Sequence, residues 1–155
     1  MKLRIVALGH RMPAWVSAGY ADYAKRLPRD YPLELIELKP EPRDRGRSVD
    51  QLLAAEAKRV RAACEGFRTV ALDERGKAWS TRDLADRLVR WHDDGTNVAF
   101  VIGSADGLDR DVKRDAADTV ALSSLTLPHA LVRVLLAEQL YRATSLIIGH
   151  PYHRE

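Results

Sequence analysis

Val98-Ala99-Phe100-Val101-Ile102-Gly103-Ser104-Ala105-Asp106-Gly107 is the stretch on which the fold reading turns. Five consecutive apolar residues leave no polar face, as expected of a strand buried on both sides in a parallel sheet. The run stops at a small, glycine-bounded loop, the place where open parallel sheets put their ligands.

Working outward, strand-like and helix-like segments alternate. Leu3–Leu8 carries β-branched Ile5 and Val6, ends at Gly9 and reads as a buried strand. A helix should follow from Pro13 to about Arg26, with Trp15, Val16, Tyr20, Tyr23 and Leu27 on one face, until Pro28 and Pro32 break it. Leu33–Leu38 is the second strand. Ser48 with Gln51, and Ser80 with Asp83, form capping boxes that open helices running to about Cys64 and Trp91. Gly66 and Gly95 mark their stops. Thr69–Leu72, ending in Asp73, is a third strand, and Thr119–Leu122 follows a short charged helix over Asp109–Ala116. Pro128 then opens a long helix to about Leu146. This alternation predicts an α/β sandwich with a mainly parallel sheet, without repeat or clear domain boundary.

Two segments stand apart. The loop 39–47 (KPEPRDRGR) has four cations against two anions and is a candidate phosphate contact, although a solvated connector reads equally well. Between Ala130 and Ile148 apolar residues run nearly all the way round the helix: Leu131, Val132, Val134, Leu135, Leu136, Leu140, Ile147. A surface helix shows one apolar stripe. This one therefore runs through a core or packs on a second subunit, and a homodimer is the expectation.

Composition excludes several classes. One cysteine, Cys64, allows neither an internal disulfide nor a Cys-rich zinc cluster, and points to a reduced compartment, the cytoplasm by default. The opening residues do not read as a signal peptide, and no apolar run reaches the ~20 residues of a membrane span. The net charge of +3 is compatible with a polyanionic partner without requiring one. P-loop, dinucleotide, nucleophile-elbow and zincin motifs are all missing. The five histidines show no metal-ligand spacing; His150 and His153 could share a metal, but ordinary tail histidines are the simpler reading, so no metal is expected.

Three loops follow strands: one from Leu72-Asp73-Glu74, one from Gly103 to Gly107, and one over Ser123-Ser124-Leu125-Thr126-Leu127-Pro128-His129. Gly103 either lets a ligand approach the backbone or simply ends a strand. The third loop mixes hydroxyls with leucines and could offer backbone groups and an apolar wall to a flat ring such as adenine. A hydrolase with Ser123 or Ser124 as nucleophile and His129 as base is a weaker reading, because no strained elbow surrounds those serines. The tail Gly149-His150-Pro151-Tyr152-His153-Arg154-Glu155 gathers an aromatic ring, two imidazoles and a guanidinium. Those groups could stack on an unpaired base, handle a proton and meet a phosphate.

The run LSSLTLPHALVRVLLAEQLYRA at 122–143, VIGSADGL at 101–108, Met12-Pro13-Ala14-Trp15 and the final HPYHRE resemble the large-subunit ribosomal RNA methyltransferase H family of bacteria. That family lies within the SPOUT class of S-adenosyl-L-methionine-dependent methyltransferases. The resemblance spans the chain and implies one α/β domain over 1–155, with a C-terminal trefoil knot and a cofactor-binding region at about 70–155. It further implies a homodimer acting on 23S rRNA in the assembled ribosome, at N3 of a pseudouridine in the loop of helix 69. Carried over, it places S-adenosyl-L-methionine on Leu72, Gly103, Leu122, Ser123, Ser124, Leu125, Thr126 and Leu127. The helix at 130–148 would be the dimer element. The cofactor's methyl sulfonium is already a strong electrophile, so the remaining tasks are placing N3 in line and removing its proton. His153 would handle that proton and Tyr152 would position the base. Arg142 and Arg154 would stabilise the imide anion or hold phosphates, and Glu138, one turn before Arg142, is either a competing base or that arginine's ion-pair partner. Many relatives have a second glycine where Ser104 stands; if that position needs positive φ, serine is strained there. A SPOUT enzyme for another RNA site and a non-catalytic RNA-binding ribosome factor are the alternatives.

Overall fold

The computed structural model describes residues 1–43 and 46–154. Two of the nine positions in the basic loop 39–47 therefore lie outside the described residues. The chain runs β1 (Leu3–Leu8), α1 (Ala14–Ala24), β2 (Leu33–Leu38), α2 (Val49–Ala63), β3 (Arg68–Ala78), α3 (Thr81–Asp93), β4 (Val98–Ile102), α4 (Arg110–Asp115), β5 (Asp118–Ala121) and α5 (His129–Ile148), then a short 3-10 helix, Pro151–His153. The five strands form one sheet in the order β2-β1-β4-β3-β5, and every neighbouring pair is parallel. The expected α/β sandwich with a parallel sheet is what the chain adopts.

Residue alternation along the strands builds two cores. Leu3, Ile5, Ala7, Val70, Val98, Phe100 and Ile102 face Leu84, Leu88 and Trp91 of α3 and Leu136, Leu140 and Ala143 of α5. Val6, Leu8, Ala71, Ala99 and Val101 face Ala57 and Val60 of α2 and Val112 of α4. All five residues of β4 are buried, as a central strand covered on both faces requires.

Both capping boxes form. The Ser48 hydroxyl accepts from Gln51 N and the Ser80 hydroxyl from Asp83 N, with the reciprocal side-chain bonds present. Helix α1 departs from expectation in one residue. Val16 is buried and Tyr20, Tyr23 and Leu27 are half-buried, but Trp15 is 60% exposed, because its neighbour Val16 takes the inward position a helical step away.

The third strand is a larger departure. It continues past Leu72 to Ala78. Leu72 pairs with Val120, the register shifts, and Lys77 pairs with Val120 again. The intervening Asp-Glu-Arg-Gly is charged and reads locally as a loop; only the neighbouring strand makes the far side of it part of the sheet. A Cβ on Gly76 would lie 2.6 Å from the Val120 backbone, so two main chains touch there and only glycine fits.

Helix α5 is the core helix of the structure. It packs between α1 and α3 over β4. Its Arg133, charged by type, is 1% exposed. That guanidinium pairs with Glu37 at 2.7 Å and donates to the Gly9 carbonyl at 3.4 Å, tying the helix to the ends of β1 and β2. Leu131, Leu135 and Ile147 remain half-buried and Ile148 is exposed. Among the described residues no helix is long and apolar enough to cross a membrane.

Candidate functional site

The irregular middle of β3 and the ends of β4 and β5 converge on one cavity of about 450 Å³. Its walls include Leu72, Gly103, Leu122, Ser123, Leu125, Thr126 and Leu127, together with Ile102, Val120, His129 and Val132. Three stretches that are not contiguous in the sequence are thus brought together. Ser124, on the same loop, is exposed and is not part of the lining. The volume falls in the range of small-molecule sites, and the mixture of leucines, hydroxyls and backbone groups suits a neutral ring with a few polar anchors. The cavity therefore fits the adenine-bearing cofactor that the resemblance implies.

Local hydrogen bonds hold the rim. The Thr126 hydroxyl donates to Glu74 at 3.2 Å, linking the first loop to the third. Leu125 N donates to the Ser123 hydroxyl at 2.9 Å. Lys113 of α4 donates to Asp73 at 3.0 Å. Burial pushes the Asp73 carboxyl up, but the Arg75 N–H bond and Lys113 outweigh it and hold the group below the usual carboxylate range.

The Gly103 loop answers an open question. Gly107 N donates to Ser104 O at 2.9 Å, and a Cβ on Gly103 would sit 2.5 Å from the Gly107 carbonyl. The glycine is required by the turn closing on itself. Ser104 is not strained: among the described non-glycine residues only Arg11 has positive φ. Ser104 is instead a buried polar contact, bonded to Arg43 and Glu56. Sequence reading missed these two partners; the charge density of the loop at 39–47 was a signal for Arg43, and nothing local marked Glu56 on α2. Arg43 is engaged in bonds to protein groups, so the candidate phosphate contact does not extend to this residue.

The tail forms a second cluster. The Tyr152 ring packs on Tyr141 in a tilted contact, centroids 4.4 Å apart and planes at 46°, and its hydroxyl donates to Glu138 at 3.1 Å. Arg142 Nε donates to the same Glu138 oxygen at 2.9 Å, and its guanidinium lies 4.9 Å from the Tyr152 ring centre. Gln139 donates to the other oxygen at 2.7 Å. Glu138 is therefore the ion-pair partner of Arg142, and both its oxygens are engaged. Burial and the Glu138 hydrogen bond push the Tyr152 phenol up to about 12.

His153 and Arg142 line a neighbouring cleft of about 710 Å³, with Trp79, Thr81, Arg82 and Gln139. That cleft shares Leu72, Val120 and Leu122 with the first cavity. The His153 Nδ1 is buried without a hydrogen-bond partner. Arg154 is exposed. None of Tyr152, His153 and Arg154 lines the first cavity of its own chain.

Among the described residues, no hydrogen bond joins Ser123 or Ser124 to His129, so nothing there is arranged as an activated nucleophile. No group of three or more His, Cys, Asp or Glu side chains among them could hold a metal. His150 Nδ1 accepts from Tyr152 N at 3.2 Å, the cap of the 3-10 helix.

The family model described as "Predicted SPOUT methyltransferase" matches residues 1–153. A curated relative from Nitrosospira multiformis is 56% identical over 99% of both chains and is named ribosomal RNA large subunit methyltransferase H. A relative of the same name from Paraburkholderia phymatum is 55% identical over 99% of both. Among solved structures, a probable methyltransferase from Bordetella pertussis superposes with a TM-score of 0.61 at 18% identity, covering 92% of this chain and 95% of that one. A probable methylase family protein from Haemophilus influenzae gives 0.60 at 14% identity, covering 99% and 70%. These structural likenesses concern the fold.

Proposed function

The chain belongs to the SPOUT methyltransferase family, and from that premise we propose that it transfers a methyl group from S-adenosyl-L-methionine to 23S ribosomal RNA. The finer target is N3 of a pseudouridine in the loop of helix 69, in the assembled ribosome. The observation that carries the reading is the convergence of Leu72, Gly103 and the loop 122–127 on one cavity. The shared name of relatives 56% and 55% identical over nearly their whole length supports the ribosomal RNA target.

When bound, S-adenosyl-L-methionine supplies an electrophilic methyl group. Leu72, Leu122, Leu125 and Leu127 form the apolar wall, and Gly103, Ser123 and Thr126 supply the polar edge. Region 70–155 of a single domain 1–155 folds as the trefoil knot. The double pairing of Val120 and the Gly76–Val120 approach support that chain crossing.

The N3 position of the target base is an imide N–H whose proton must leave. His153 takes it. Glu138 is the poorer base, because Arg142, Tyr152 and Gln139 already occupy its oxygens. Glu138 instead orients Arg142 toward the anion and Tyr152 toward the base. Arg154 meets phosphate or the same anion. Nothing among the described residues fixes the His153 tautomer through Nδ1, and the mechanism needs a further group to do so, whose origin we assign outside the described residues.

That origin is the second subunit of a homodimer. The described tail residues do not line the first cavity of their own chain, and Leu131 and Leu135 of α5 stay half-buried. One subunit's tail completes its partner's site. The enzyme works in the cytoplasm, without metal or membrane.

The test is tritium transfer from labelled S-adenosyl-L-methionine to ribosomes lacking the modification, with free rRNA as comparison. Label on the ribosomal pseudouridine is expected; no transfer to either substrate overturns the reading. A monomeric mass by light scattering at micromolar concentration overturns the dimer.

A further inference from the structure

The Gly103–Gly107 loop is anchored from outside the cavity by residues some fifty to sixty positions earlier. Glu56 of α2 is 1% exposed, a carboxylate inside the protein. Such a group is costly unless paired and hydrogen-bonded. Its Oε1 accepts from Glu41 N at 3.0 Å and Arg43 Nη1 at 2.5 Å, and its Oε2 accepts from the Ser104 hydroxyl at 3.4 Å. Arg43 uses the rest of its fork on the same loop. Nη2 donates to Ser104 Oγ at 2.9 Å and Nε to Asp106 at 3.0 Å. Nη1 also donates to the Glu41 carbonyl at 2.6 Å. Ser104 and Asp106 both line the cavity.

One guanidinium thus grips two lining residues, and one buried carboxylate holds that guanidinium. A planar fork suits several acceptors at fixed angles, which an ammonium does not. We propose that Arg43, held by Glu56, is a positioning residue that presets the Gly103–Gly107 loop for the cofactor. The proposal rests on the reading that this cavity takes S-adenosyl-L-methionine. Arg43 touches no reacting atom. Its effect falls on cofactor affinity, because a loop already in its bound shape loses less freedom on binding.

The test uses the full chain with Arg43→Ala, Arg43→Lys and Asp106→Asn. Amide hydrogen exchange over Ser104–Gly107 is measured without ligand, the cofactor dissociation constant by calorimetry, and methyl transfer at saturating cofactor. Exchange at those amides should rise about tenfold or more in Arg43→Ala and Asp106→Asn. Cofactor affinity should weaken on the order of tenfold, as for lost charge-assisted bonds, with transfer at saturation within about twofold of wild type in Arg43→Ala, whose side chain lies outside the cavity lining. Arg43→Lys should restore the melting temperature but not the affinity. Unchanged exchange in both variants overturns the proposal. So does raised exchange with unchanged affinity, the mark of a merely structural clamp. A wild-type chain that binds no cofactor overturns the functional reading instead, and the exchange measurement still decides whether Arg43 orders the loop.

Discussion

The Tyr152 hydroxyl donates to Glu138 Oε1 at 3.1 Å, fastening the tail to the helix that carries Arg142. Tyr152→Phe removes that bond and keeps the ring on Tyr141. The loss should be about 1 kcal/mol of stability. Turnover should fall further than stability does, because the ring is no longer fastened to Glu138, while Arg142 keeps its own bond to that carboxylate. Urea unfolding and methyl transfer, measured side by side, check it; unchanged turnover would show that the anchor is structural only.

His153→Ala should cut turnover sharply and leave cofactor affinity nearly unchanged, since His153 does not line the 450 Å³ cavity of its own chain proposed for the cofactor. Equal turnover removes His153 from the mechanism. Calorimetry and single-turnover transfer separate the two effects.

Alkaline stability should fall between pH 10 and about 12, where unfolded tyrosines have ionised and two folded ones have not. Burial, then Glu34, raises the Tyr20 phenol to about 12, and burial, then Glu138, raises Tyr152 to about 12. In that window the folded state holds more protons than the unfolded state, so stability declines as pH rises. Replacing both by Phe should flatten the decline, read as melting temperature against pH beside the phenolate absorbance.

Gly76→Ala should cost about 3 kcal/mol or more, because the obstructing atoms are Val120 main chain and cannot rotate away. Gly66→Ala is the control: its φ is +77° with open space around it, so the cost is roughly 1–2 kcal/mol of backbone strain. Equal losses in denaturant unfolding would contradict the close approach.

Gly103→Ala should abolish the cofactor-dependent rise in melting temperature, since its Cβ would collide with the Gly107 carbonyl at 2.5 Å. Without ligand the variant should melt only a few degrees lower, the loop opening rather than the sheet failing. A preserved cofactor shift would show that the cavity does not need this turn.

Much of the fold was legible because its signals are local. The five apolar residues of Val98–Ile102 announce a strand covered on both faces, and Ser48 with Gln51 and Ser80 with Asp83 announce helix starts through bonds within three residues. The strand-end loops were legible for the same reason: Gly103 and the segment 122–127 interrupt apolar runs. The resemblance of 122–143 and the tail supplied what periodicity could not, the expectation of a cofactor and an RNA substrate. Where local pattern misled, a distant partner had intervened. Lys77 joins the sheet only because β5 lies beside it, and Arg133, polar by type, goes inside because Glu37 and Gly9 receive it.

The sequence by itself determined the alternating α/β order, the parallel sheet and the loops that form the cavity, since strand period, cap and turn chemistry act between near neighbours. Tertiary structure alone decided that Gly76 lies against Val120, that Arg43 and Glu56 hold Ser104, and that Glu138 answers to Arg142 and Tyr152 together. The Gly76 and Arg43 contacts join residues dozens of positions apart, and even the nearer Glu138–Tyr152 bond needs the tail to fold back on α5. Long-range pairings such as these leave no trace in local periodicity, and become visible only when the packed chain shows which polar groups had to find partners out of water.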